Sequence, residues 1–235
     1  MELHNVFKQS IFCAFLSLFL VLGPGSALGG EIYKKPPKVP DTSARYVFYM
    51  HGAWLEEHSE GERDRRYGLY RYTDILNALA DKGFVVVSEK RAGRTNPKEY
   101  VPKIAKRVRK LIKKGVPPSH ITVSGFSRGG AMTLEVAMML QNPNVNFVVL
   151  SGCGIGNYAK GYQRFLKRGA GRMAGRMLSI YDSRDTDGGT CTEAFSNAGL
   201  SEAKEIVLKV GSGHAVFFQP QAEWIDPMVA WAKGP

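Results

Sequence analysis

The sequence predicts an α/β domain, a three-layer α/β/α sandwich on a mainly parallel sheet of about six strands. Three observations predict it. Short apolar runs rich in Val, Ile, Phe and Tyr recur between longer stretches whose apolar residues repeat with helical spacing. The 235 residues are 44% hydrophobic and 23% charged, enough to bury a core and too ordinary for a disordered or fibrous chain. Three cysteines, with no C-x-x-C and no H-E-x-x-H, leave no disulfide scaffold, zinc module or zincin to replace that core.

The first element is a leader. Met1–Lys8 carries one lysine, Ile11–Leu22 is apolar apart from Ser17, and small residues prevail from Gly23 to Gly30. That is the layout of a secretory signal peptide over residues 1–29. Its apolar run of about 12 residues is short of the ~20 that a spanning helix needs, and an uncleaved N-terminal membrane anchor is the alternative. An exported chain, periplasmic or extracellular, matures where thiols oxidise, so Cys153 and Cys191 are a candidate disulfide. Such a bridge would contribute roughly 3–4 kcal/mol through chain entropy, and two unpaired packing cysteines are the alternative.

Residues 30–44, with Pro36, Pro37 and Pro40, read as an extended lead-in with nothing compact. The domain follows over 45–235. Strands are expected at Tyr46–Met50, Phe84–Val87, Ile121–Ser124, Asn146–Leu150, Met177–Tyr181 and Glu205–Val210. Helices are expected at Thr73–Asp81, Tyr100–Gly115, Gly129–Leu140 and Gln221–Ala232. Between Leu150 and Met177 there is room for one helix, around Tyr158–Lys167, and no large lid. Gly129–Leu140 is apolar nearly all round, with Glu135 its only charge, and belongs at the centre of the packing.

The net charge is +11, from 32 Lys+Arg against 21 Asp+Glu. Much of it sits on the helix from Tyr100. There Val101, Ile104, Val108, Leu111 and Ile112 share a face, and Lys103, Lys106, Arg107, Arg109, Lys110, Lys113 and Lys114 cover the rest. This basic helix is either a solvated amphipathic face or a surface for an anionic envelope polymer or membrane. No recognition module accompanies it, so nucleic acid is not expected as a partner.

Chemistry concentrates at Gly125-Phe126-Ser127-Arg128-Gly129, a G-x-S-x-G pattern between an expected strand and the buried helix. A turn there strains the serine backbone and lifts its hydroxyl above the sheet, while the glycines let strand and helix pass closely. A serine nucleophile needs a base. Of five histidines, His4 belongs to the leader, His51 precedes a glycine at a strand end, His58 lies in a charged loop, and His120 precedes its strand at the opposite end. His214, in a glycine-flanked loop after the last strand, can swing over the carboxyl edge. The carboxylate that orients it comes from the loop after Met177–Tyr181, which holds Asp182, Asp185 and Asp187. Asp185 reaches further across the edge, Asp182 suits holding the loop by its backbone amides, and Asp187 suits solvent.

The order Ser127, Asp185, His214 resembles that of the α/β-hydrolase family. Over about Arg45–Trp231 the chain looks like a small lidless serine hydrolase, esterase-like or dienelactone-hydrolase-like. Met50-His51-Gly52-Ala53-Trp54 resembles the family's oxyanion segment, and by that match Ala53 and Arg128 supply the two backbone N–H donors. The resemblance implies acyl transfer to water without cofactor or metal, on an ester or thioester of a small-molecule or lipid-like acyl substrate. It also implies a minimal six-stranded sheet, because two early strands find no room before Arg45. Phe126, Trp54, Tyr67, Tyr70, Tyr158 and Tyr162 are candidates to line the acyl pocket. The rival readings are a peptidase with the same triad and an inactive envelope-binding protein that uses its basic surface.

Overall fold

The computed structural model describes residues 30–234, so the leader read over 1–29 lies outside the described residues. In chain order the elements are β1 (Ile32–Tyr33), β2 (Arg45–Met50), α1 (Trp54–Glu57), β3 (Arg63–Asp64), β4 (Gly68–Leu69), α2 (Tyr72–Asp81), β5 (Phe84–Val87) and α3 (Pro97–Lys113). β6 (Ile121–Phe126), α4 (Arg128–Leu140), β7 (Asn146–Leu150), β8 (Cys153–Gly154) and α5 (Ala159–Arg168) follow. β9 (Arg176–Asp182), β10 (Gly188–Gly189), α6 (Thr192–Asn197), β11 (Ala203–Leu208) and α7 (Ala222–Lys233) complete the chain.

Seven strands, rather than about six, form the central sheet in the order β1-β5-β2-β6-β7-β9-β11, and every pairing is parallel. The seventh is β1, inside the segment read as a lead-in. Ile32 and Tyr33 pair with Val86 and Val87, and the Val86 and Ser88 N–H groups donate to the Glu31 and Tyr33 carbonyls at 2.8 Å each. Two residues carry no periodicity, and the prolines beyond them stop the run. The strand therefore leaves no pattern to read and owes its existence to the unpaired edge of β5.

The uninterrupted apolar runs of β2 and β7 follow from burial on both faces. Tyr46, Phe48 and Met50 of β2 enter the core layer under α3, α4, α5 and α6, whereas Val47 and Tyr49 enter the layer under α2 and α7. β7 alternates likewise, Phe147 and Val149 against Val148 and Leu150. The helix expected from Tyr100 begins earlier, at Pro97, because the Asn96 side chain accepts the Lys98 N–H at 3.1 Å and a proline suits the first helical position.

After β2 the chain turns toward β5 on one side, and the next crossover returns it to β6 on the other. The loops leaving β2 and β6 therefore diverge at the carboxyl edge, where an open parallel sheet forms a crevice. Nearby, Cys153 and Cys191 form a disulfide with Cα atoms 5.4 Å apart, and Cys153 and Gly154 pair with Gly189 and Gly188. Together these contacts tie the segment after β7 to the segment after β9. Among the described residues no helix is long and apolar enough to cross a membrane.

Candidate active site

β6, buried along its whole length, leads directly into Ser127, whose φ is 54° and ψ −116°. A non-glycine residue holds such a conformation only under constraint, at a cost of order 1–3 kcal/mol. Three glycines show the constraint. A methyl carbon on Gly129 would lie 2.0 Å from the Met50 carbonyl oxygen, one on Gly125 2.4 Å from the Gly129 carbonyl, and one on Gly130 2.8 Å from the Gly152 Cα. Only bare backbone lets the ends of β2, β6 and β7 meet the start of α4. The Ser127 N–H, donating to the Leu150 carbonyl at 2.8 Å, fastens the turn to β7.

His214 lies on a short 3-10 turn, Gly213–Phe218, and its imidazole is buried between Phe126 and Tyr67, with ring centroids 4.7 and 5.4 Å away. Its Nδ1 stands 2.8 Å from Asp185 Oδ2, a geometry that fits an N–H donated to the carboxylate. Ser151 Oγ donates to the same oxygen at 2.6 Å, while the Asp187 and Gly188 N–H groups donate to Oδ1 at 2.8 and 3.0 Å. Burial by itself raises the pKa of the Asp185 carboxyl. The hydrogen bond and charge of His214, with the bonds from Ser151 and Asp187, outweigh burial and hold it below the ordinary carboxylate range. The group is therefore an anion at neutral pH.

Asp182 makes no such contact. Its Oδ1 accepts the Arg184 and Gly213 N–H groups at 2.9 and 3.1 Å, and its Oδ2 accepts those of Val210 and Gly211 at 2.9 and 3.1 Å. It shapes the backbone that carries His214. Asp187, expected in solvent, instead accepts a hydrogen bond from the Tyr67 hydroxyl and stands 3.6 Å from Arg66. Burial and that carboxylate push the Tyr67 pKa upward.

Ser127 and His214 line one cleft of about 340 Å³, together with Ala53 and Arg128. Among the described residues no hydrogen bond joins Ser127 Oγ to the imidazole. Arg128 opens α4, where the N–H groups of the first turn have no acceptor within the helix. The Ala53 segment is held from behind. Gly52 N–H donates to the Tyr70 hydroxyl at 3.2 Å, and His51 Nε2 accepts the Arg91 N–H at 2.8 Å. Burial, followed by the charge of Arg91, pushes the His51 pKa down to about 3, so this imidazole is neutral.

The Arg91 guanidinium continues the support. It donates to the His51 carbonyl at 2.5 Å and to Glu56 Oε1 at 2.9 Å, and the other Glu56 oxygen pairs with Arg128 at 2.9 Å. A run of charge, buried at Arg91 and Glu56 and half-buried at Arg128, thus connects the segment after β2 to the first residue of α4. Sequence reasoning missed Glu56, Arg91 and Ser151. Arg91 meets His51 and Glu56 from 40 and 35 positions away, and Ser151 meets Asp185 from 34, so no local spacing signals them.

Of the aromatic candidates, Trp54, Tyr67, Phe126 and Tyr158 line the cleft. Tyr70 and Tyr162 do not. The Tyr70 hydroxyl is bound behind Gly52 and meets that of Tyr49 at 3.1 Å, and Tyr162 packs with Phe165 against the core beneath α5. Among the described residues no group of His, Cys, Asp and Glu side chains could hold a metal ion.

The phospholipase/carboxylesterase family of α/β hydrolases matches residues 86–159, the stretch that contains the Ser127 turn. No curated protein matches the chain. Among solved structures, a protein described as a dienelactone hydrolase from Klebsiella pneumoniae is similar at 15% identity and a TM-score of 0.59, covering 85% of this chain and 91% of that one. A monoacylglycerol lipase from Paleococcus ferrophilus is similar at 16% identity and a TM-score of 0.57, over 85% and 96%. An esterase from Rhizomucor miehei is similar at 15% identity and 0.58, over 85% and 76%.

Proposed function

We propose that this chain, which has the fold of the α/β hydrolases, is an exported serine hydrolase that cleaves carboxylic esters or thioesters through Ser127, His214 and Asp185. One observation carries the reading. A buried imidazole, hydrogen-bonded to an ionised carboxylate, lines the same cleft as a serine held at a strained strand-to-helix turn. Such a serine becomes nucleophilic when the imidazole removes its proton.

In the acylation step Ser127 Oγ attacks the ester carbonyl as His214 Nε2 takes its proton, and Asp185 stabilises the resulting imidazolium. The Ala53 and Arg128 N–H groups receive the oxyanion, each contributing about 2.7–4 kcal/mol to the transition state. His214 returns the proton to the departing alcohol or thiol, leaving an acyl-Ser127 ester. Water then attacks that ester with His214 again as base, releasing the acid and restoring the serine. A cleft near the lower end of the ligand-pocket range, walled by Trp54, Tyr67, Phe126 and Tyr158, favours a compact acyl ester over an extended peptide. The leader layout and the Cys153–Cys191 bond support export.

The test is hydrolysis of p-nitrophenyl acetate and butyrate by the purified mature chain. Turnover that disappears in Ser127→Ala is the expected outcome, and equal rates for the two proteins would contradict the assignment.

A further inference from the structure

The basic excess is unevenly placed around the cleft. On α3, Lys103 and Arg107 share Glu89 at 2.8 and 2.9 Å, so part of that helix is internally neutralised. α5 differs. Lys160, Arg164 and Lys167 follow one another at helical spacing along one exposed face, while Tyr162, Phe165 and Leu166 turn inward to the core. None of the three cations has a carboxylate partner among the described residues.

The helix starts at the rim of the cleft. Tyr158, immediately before it, lines the cleft yet is 61% exposed, and Ile155, a turn earlier, is 37% exposed. Free cations beside two exposed apolar side chains are the pairing that an anionic bilayer satisfies. Its phosphates attract ammonium and guanidinium groups, and its interfacial zone accepts a ring with one polar tip. A soluble polyanion offers the charge without the apolar zone.

We propose that α5 and its N-terminal rim dock the cleft on an anionic lipid surface. Docking itself does not depend on the nature of the reaction. Its consequence, that Ser127 receives esters presented by amphiphile assemblies, rests on the function proposed above.

The experiment uses the mature full chain carrying Ser127→Ala, sedimented with vesicles of phosphatidylcholine alone or mixed with phosphatidylglycerol at about 0.1 M salt. The expected result is binding to the mixed vesicles only, and its loss near 1 M salt, where the Debye length shrinks to about 3 Å. Each basic side chain near such a surface contributes about fivefold, so adding Lys160→Gln, Arg164→Gln and Lys167→Gln lowers partitioning by about a hundredfold. With Ser127 present, the same three substitutions leave p-nitrophenyl acetate hydrolysis unchanged, which shows that the variant is folded. Equal binding to both vesicle types, undiminished binding by the triple variant, or binding to dextran sulfate without binding to vesicles would each overturn the proposal. Absence of ester hydrolysis in the parent would defeat the proposed function and leave the vesicle result standing.

Discussion

Asp182 and Asp185 lie three positions apart at the end of β9, and both are buried. The surroundings of Asp182 are four backbone N–H groups, three of them from the loop that delivers His214. Asp185 also accepts backbone N–H groups, on one oxygen, but turns the other toward an imidazole and the Ser151 hydroxyl. The difference teaches that burial and charge do not assign a carboxylate its role; the identity of its donors does. A carboxylate enclosed by amides fixes a loop, whereas one that faces a titratable ring sets the ring's tautomer and stabilises its cation.

The comparison breaks most visibly in Asp185→Asn. With the geometry retained and the wrong tautomer favoured, kcat falls about ten-thousand-fold while the urea midpoint moves little. If stability collapses together with activity, Asp185 is a structural carboxylate like its neighbour.

Acid unfolding sharpens the contrast through a third buried group. The Asp185 pKa is lower in the folded state, so its contribution is full above the ordinary carboxylate range and is lost only as pH falls below about 4. His51 acts at higher pH. Its folded value of about 3 lies below its ordinary 6.5, so the unfolded chain takes up the proton first and stability declines as pH drops through that window. Urea melts between pH 6.5 and 4.5 should therefore show a loss approaching 1.4 kcal/mol per unit, before Asp185 contributes. A flat midpoint over that range would remove the buried neutral imidazole from the support of the Ala53 segment.

Asp182→Asn has the complementary signature to Asp185→Asn. An amide nitrogen replaces one acceptor oxygen and confronts backbone N–H groups, costing about 1–3 kcal/mol of stability. Turnover measured below the melting transition should fall far less than in Asp185→Asn. Equal losses of kcat in the two variants would erase the distinction between them.

The smallest expected effect belongs to Ser151→Ala. Removing its hydrogen bond makes the Asp185 carboxylate a stronger partner for imidazolium, so the acid limb of kcat/KM moves to higher pH and the rate on that limb falls, about tenfold for each unit of displacement. A lowered kcat with an unmoved pH profile would restrict Ser151 to a packing role.

Much of this arrangement was legible in the sequence where local pattern and chemistry coincide. Asn146–Leu150 reads as a strand from its apolar run, and Gly125–Gly130 reads as an elbow because G-x-S-x-G stands between a strand pattern and an apolar helix; in the structure no side chain fits where β2, β6 and β7 converge on α4. Legibility ends where long-range contacts take over. β1 is two residues long and is defined by its partner, and Glu56, Arg91 and Ser151 reach their partners from distant elements. Tyr70 looks like a pocket aromatic in sequence but is drawn inward by the Gly52 N–H and the Tyr49 hydroxyl. Asp182 and Asp185 could be placed on one loop by pattern, while the donors that distinguish them come from separate stretches of backbone, from Ser151 and from His214.

The most direct test of an activated serine is labelling of the purified mature protein with a fluorophosphonate probe, beside Ser127→Ala and Asp185→Asn. Rapid stoichiometric labelling of the wild type, slowed in Asp185→Asn and absent in Ser127→Ala, is the predicted result. A folded wild type that takes no label, or label that persists in Ser127→Ala, would contradict the assignment of Ser127 as the nucleophile.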